Sequence, residues 1–172
     1  NGIVYFTASA SNAQGRELWR SDGTEEGTYL LKDINPGAPS SECTDLTEFN
    51  GLLYFTAVTA EHGRELWRTD GTEEGTVLVS DIWPGSAGST PQHLTAYNGQ
   101  LIFSASASGL GIEPWRTDGT EEGTRLIKNI HPTAVMGSQA GPYHVYDGAV
   151  YFSARTPDAG GVLFTTDGTE EG

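Results

Sequence analysis

The sequence predicts an all-β chain built from one repeated four-stranded unit, and three observations predict it. An acidic turn is written four times, as "RSDGTEEGT" at 20–28, "RTDGTEEGT" at 68–76 and again at 116–124, and "TTDGTEEG" at 165–172. Its aspartate falls at Asp22, Asp70, Asp118 and Asp167, in steps of 48, 48 and 49 residues. A second marker keeps the same beat: "NG" at Asn1, Asn50 and Asn98 and "DG" at Asp147, each opening an apolar run, "IVYFTA", "LLYFTA", "QLIFSA" and "AVYFSA". Third, the runs between turns are short, aromatic and β-branched, and no helical periodicity competes with them. A fixed period of this length marks a repeat array such as a solenoid or propeller.

Residues 93–130 show the unit in order. Strand A is "HLTAY" and strand B is "QLIFSASA"; Asn-Gly joins them, because both central residues of a type I′ hairpin turn need positive φ. Strand C is "EPWRTD", the turn is "GTEEG", and strand D is "TRLIKNI". Runs such as "LLYFTAV" alternate poorly between apolar and polar, as a sheet covered on both faces would. Four antiparallel strands every 40–50 residues, with aromatic and glycine marks per unit, predict a β-propeller; a solenoid would use shorter coils. The chain then reads as one array over 1–172, in blades of about 48 residues at 1–41 (strands B, C, D), 42–90, 91–139 and 140–172 (strands A, B, C), about three and a half blades in all. Such an array is expected to be a segment of a longer propeller, or a partial ring that self-assembly or further repeats complete.

The segments "RELWRSDGTEEGT", "RELWRTDGTEEGT" and "IEPWRTDGTEEGT" resemble the ELWxxDGT repeat of bacterial, exported, multi-repeat proteins, and the resemblance covers the whole chain. It implies a propeller-like architecture and a secreted or cell-surface setting, and it implies no reaction or ligand. The fourth copy, "GGVLFTTDGTEEG", departs from the pattern, with Val162 in place of the glutamate and Phe164 in place of the tryptophan.

Composition narrows the partners. Lys and Arg total 9 against 23 Asp and Glu, a net charge of −14, so nucleic acid and anionic membrane are excluded on electrostatic grounds. No run approaches the roughly 20 apolar residues of a membrane helix, so membrane insertion is not expected. The one cysteine, Cys43, reads as a small, partly buried thiol.

The two ends of the predicted blades obey different rules. The NG/DG and DGTEEG turns keep their length, whereas the B–C loops ("SASNAQGR", "VTAEHGR", "SASGLGI", "RTPDAGG") and the D–A loops vary. Variable loops on a rigid frame are where repeat folds bind, although drift in unused loops would look the same. The candidates on that face are Trp83, which occurs once, in "DIWPGSAG", with Asn35 and His131 at its repeat positions, and His62, Asn12 and Gln14 in the B–C loops.

The turns hold 12 of the 23 acidic residues and should form a negative rim. The plain reading is a solvated face. A calcium reading rests on Asp22, Thr24 and Glu26, repeated as Asp70, Thr72, Glu74 and as Asp118, Thr120, Glu122, which alternate like oxygen ligands ahead of a glycine. Asp33 falls at the twelfth position of such a loop, but an extended strand would carry it away from the turn. Calcium is therefore allowed, and no cofactor is required.

Trp19, Trp67 and Trp115 are expected to pack blades together. Glu17, Glu65 and Glu113 with Arg20, Arg68 and Arg116 are expected to form a structural ladder of ion pairs between blades. A nucleophile elbow, a zinc-binding HExxH and a phosphate loop are absent. The function expected is a non-catalytic extracellular binding or adhesion module that presents its B–C and D–A loops to a glycan or protein. The alternatives are a purely structural scaffold, stabilised by calcium or not, and part of a propeller enzyme.

Overall fold

Residues 2–11, 14–132 and 135–171 are described by the computed structural model, and their regular structure is all β-strand. The strands make four antiparallel sheets, taken in chain order. Sheet one holds β1 (Val4–Ala8), β2 (Glu17–Ser21) and β3 (Tyr29–Leu30). Sheet two holds β4 (Thr44–Phe49), β5 (Leu52–Thr59), β6 (Gly63–Thr69) and β7 (Val77–Ser80). Sheet three holds β8 (Gln92–Tyr97), β9 (Gln100–Ala107), β10 (Leu110–Thr117) and β11 (Arg125–Leu126). Sheet four holds β12 (Tyr143–Tyr146), β13 (Ala149–Thr156) and β14 (Ala159–Thr166).

The hairpins turn where the dipeptides predict. Asn98 and Gly99 sit at φ 46° and 75°, and Asn50–Gly51 and Asp147–Gly148 repeat the geometry. Two successive left-handed residues define a type I′ turn, which Asn, Asp and Gly tolerate best.

Two expectations need correction. Strand D was expected to run through "TRLIKNI", yet β3 and β11 are two residues long. Beyond them one amide still reaches back, Leu31 N to Leu18 O at 3.0 Å and Ile127 N to Pro114 O at 2.9 Å. The chain then swings toward a buried glutamate, described below, which takes its next amides. The B–C connections of sheets two to four are also tighter than loops: β9 and β10 are separated by residues 108–109 alone, because the strands run on into them. The long irregular segments are therefore the D–A connections.

Consecutive sheets pack face to face. Leu18, Leu31 and Ile34 meet Phe55, Ala57 and Trp67 of sheet two. Tyr54, Leu66 and Val79 of sheet two meet Leu101, Phe103 and Ala105 of sheet three, whose other face sends Ile102 and Ile127 against Val150, Phe152 and Ala154. Neighbours in one strand, such as Tyr54 and Phe55, are thus buried on opposite faces, which is why the sequence alternates poorly. Along the array the first strands lie side by side, β4 against β8 and β8 against β12.

Candidate functional site

The D–A segments are positioned by buried carboxylates. Glu17, Glu65 and Glu113 sit at the start of strand C and are at most 1% exposed. Glu17 accepts the amides of Ile34 (3.1 Å) and Ser41 (2.9 Å). Glu65 accepts those of Trp83 (3.1 Å) and Ser89 (2.8 Å), together with the Ser89 hydroxyl. Glu113 accepts the amides of Ile130, His131 and Ser138 at 3.0–3.2 Å. Each carboxylate therefore holds both ends of one D–A loop. The expected Arg–Glu ladder is corrected here: backbone amides, not guanidinium groups, satisfy these glutamates. Arg20 instead donates to Gly71 O at 3.3 Å and lies 5.2 Å from the Tyr29 ring centroid. Arg68 is half-buried beside Tyr54, and Arg116 is half-buried near Asp118.

The loops also press on the strand-C glycines. A side chain at Gly63 would strike the Gly88 backbone, and one at Gly111 the Gly137 backbone. Of the repeated tryptophans, Trp67 is in the first core cluster, Trp115 packs on the second, and Trp19 Nε1 donates to Ala8 O at 3.1 Å.

Each acidic turn closes on itself. Asp70 Oδ1 accepts Thr72 N (2.9 Å) and Thr72 Oγ1 (2.7 Å), while Gly75 N donates to Thr72 Oγ1 at 2.9 Å. Asp22 with Thr24 and Asp118 with Thr120 repeat the pattern. Oδ1 of each aspartate and the threonine hydroxyl are thus engaged with one another, and Glu26, Glu74 and Glu122 stand at exposed positions. Among the described residues no group of three His, Cys, Asp or Glu side chains is placed to hold a metal ion. Asp33 is drawn elsewhere, Oδ2 accepting Gly37 N at 3.4 Å.

These carboxyls set an acid–base signature. Burial raises the folded-state pKa of Glu17 and Glu65 above the ordinary 4.5, so the folded protein binds their protons more tightly than the unfolded chain does. Stability therefore grows as pH falls from neutrality toward the folded values. The turn aspartates act in the opposite sense: their threonine hydrogen bonds hold them below 3.8, and that stabilisation is lost as pH falls through the lowered values. Tm should rise as pH falls from neutrality toward the raised glutamate values, and drop once pH falls below the 3.8 of a free aspartate and through the lowered values of the turns. A melting series that falls steadily from pH 7 downward would contradict this.

The loop-face candidates disperse. Asn12 lies outside the described residues. Asn35 is buried, and its Nδ2 donates to Ser40 O at 3.1 Å, so it is a loop brace and not a ligand contact. Gln14 is half-buried, its amide bonded to Ser11 O. Trp83 and His131 are half-buried, with their amides on Glu65 and Glu113. His62 Nδ1 is 2.8 Å from Asp81 Oδ2, and its Nε2 is 3.8 Å from Glu61 Oε2.

Sequence reasoning missed the cleft that forms between sheets one and two, lined by Thr7, Arg16, Glu42, Cys43, Thr44 and Arg64. Arg64 pairs with Glu42 Oε2 at 2.6 Å and donates to Glu42 O at 2.8 Å. Arg16 Nε donates to Thr7 Oγ1 at 2.9 Å, with its side chain otherwise exposed. Thr44 Oγ1 lies 2.9 Å from Thr56 Oγ1. Burial pushes the Cys43 thiol up to about 11, so it stays protonated and unreactive. A signal was present: "GRELW" stands at 15–19 and 63–67, whereas the third copy has "GIEPW" and the fourth "GGVLF". The arginine is specific to the two sheets that flank the cleft. Compared with known proteins, the chain matches no family model and no curated protein sequence.

Proposed function

We propose that this chain is a non-catalytic binding module of the β-propeller type, with the cleft between its first two sheets as the seat for a neutral glycan. The propeller reading is supported by sheets that pack face to face with their first strands side by side. The ELWxxDGT resemblance supports the same architecture and a bacterial secreted or cell-surface setting. The single observation that carries the binding reading is the cleft. Arg16 presents an exposed guanidinium group that can donate, and the exposed carboxylate of Glu42 can accept, which matches the mixed demands of sugar hydroxyls. A net charge of −14 disfavours polyanionic ligands at long range.

The test is a glycan array probed with the wild-type chain and with Arg16→Ala. A neutral-glycan signal that falls at least tenfold in the variant, with Tm within about 2 °C, is expected, because Arg16 is exposed and surface changes cost little. If no glycan binds, or the variant binds like wild type, the cleft is not the site and the scaffold reading takes its place.

A further inference from the structure

We infer that the loop end of sheet two binds a divalent transition-metal ion of the zinc class, through Nε2 of His62 and the carboxylate of Glu61, with Asp81 holding the imidazole in place. The site lies within one four-stranded sheet and is independent of the cleft.

Residues 60–62 turn the chain from β5 into β6, and the turn is pinned where the His62 amide donates to Thr59 Oγ1 at 3.0 Å. The ring is pinned as well: Asp81, just past β7, places Oδ2 2.8 Å from Nδ1. A carboxylate can only accept, so Nδ1 carries the proton and the neutral ring keeps its lone pair on Nε2. Metal-bound histidines are held in this way, by a carboxylate behind the ring that fixes the tautomer and raises the basicity of the free nitrogen. That nitrogen lies 3.8 Å from Glu61 Oε2. Zinc bonds to imidazole nitrogen and carboxylate oxygen are each about 2.0–2.2 Å, so one ion between the two atoms can touch both. The His62 side chain is 27% exposed and that of Glu61 85%, which gives an ion access from solvent and Glu61 the freedom to close on it. Asp81 is spent on the ring, so the protein supplies two ligands here and water supplies the rest.

Repeat register shows that the scaffold does not need this pair. Counting from the acidic turns, the position of His62 is Gln14 in sheet one and Leu110 in sheet three, and that of Asp81 is Asp33 and Asn129. Sheet three forms the same hairpin with Leu110 and Asn129, without imidazole or carboxylate. An Asp–His pair beside an exposed glutamate is thus particular to sheet two.

The ligand types set the class of ion. Imidazole suits Zn²⁺, Cu²⁺ and Ni²⁺, whereas Ca²⁺ and Mg²⁺ take oxygen. Electrostatics favour a cation there as well, since Asp81 lies close enough to Glu65 to raise its pKa through space.

Isothermal titration of the whole chain with zinc chloride tests this on the wild type, His62→Ala, Glu61→Gln and Asp81→Asn. The control is His144→Ala, because His144 is exposed on β12 of sheet four. The wild type should bind one Zn²⁺ per chain. His62→Ala should weaken binding at least tenfold, Glu61→Gln several-fold, and the control not at all. Asp81→Asn should weaken it about tenfold or more, as the loss of a supporting carboxylate does. Tm should stay within about 2 °C in each metal-free variant, because these side chains are partly or fully exposed. NMR of the imidazole nitrogens should show the His62 Nε2 signal moving as Zn²⁺ is added. A wild type that binds no Zn²⁺, a His62→Ala or Asp81→Asn variant that binds like wild type, or Zn²⁺ that leaves the His62 signal unmoved would each overturn the inference.

Discussion

Glu65→Ala should lower stability by about 3–5 kcal/mol, because it takes the shared acceptor from two amides and a hydroxyl. The change strands the amides of Trp83 and Ser89 in a site that is 0% exposed, and releases the loop between them. Each unpaired amide costs about 1–3 kcal/mol, which accounts for the size of the effect. At about 2–4 °C per kcal/mol for a chain of this length, Tm should fall by roughly 10 °C or more. Glu65→Gln keeps one acceptor oxygen and should lose less. Thermal unfolding of both variants decides: a loss under about 1 kcal/mol for alanine would mean that the loop is held by something other than this carboxylate.

Phe103→Ala should be comparably severe, about 3–5 kcal/mol, because the ring is fully buried between sheets two and three and leaves a cavity that two stacked sheets cannot collapse. Phe6 occupies the same repeat position on the outer face of sheet one, where it is half-buried. Phe6→Ala should cost about 1 kcal/mol when measured at low protein concentration. Urea unfolding of the pair reads the difference, and equal losses would show that sheet one is covered as sheet three is.

Much of the fold was legible in the sequence because it depends on local chemistry. Asn-Gly and Asp-Gly impose left-handed φ wherever they stand, so the inner hairpins and the 48-residue beat could be read directly. Doubly apolar strands such as β5 announced burial on both faces. The partners of Glu17, Glu65 and Glu113 were not legible, since a repeated Glu and Arg three residues apart suggest each other, while the amides that claim the carboxylate lie about 17 to 25 residues along the chain. The cleft was hidden for a similar reason. It joins Arg16, Glu42 and Arg64 across two sheets, and only the interruption of "GRELW" after the second copy pointed to it. The one tryptophan outside the repeat pattern, Trp83, drew notice for that reason, yet its amide serves the loop anchor.

The carboxylate anchor separates the length of a loop from the geometry of the frame. The same side chain bridges from 34 to 41, from 83 to 89 and from 130 to 138, spans that differ in residue count but end on the same acceptor. Apart from residues that pack on the strand-C glycines, such as Gly88 and Gly137, what lies between those ends can be exchanged without shifting the neighbouring sheets. Each D–A segment is in effect a socket for foreign sequence, and peptides inserted between the anchored residues would be displayed with both ends fixed.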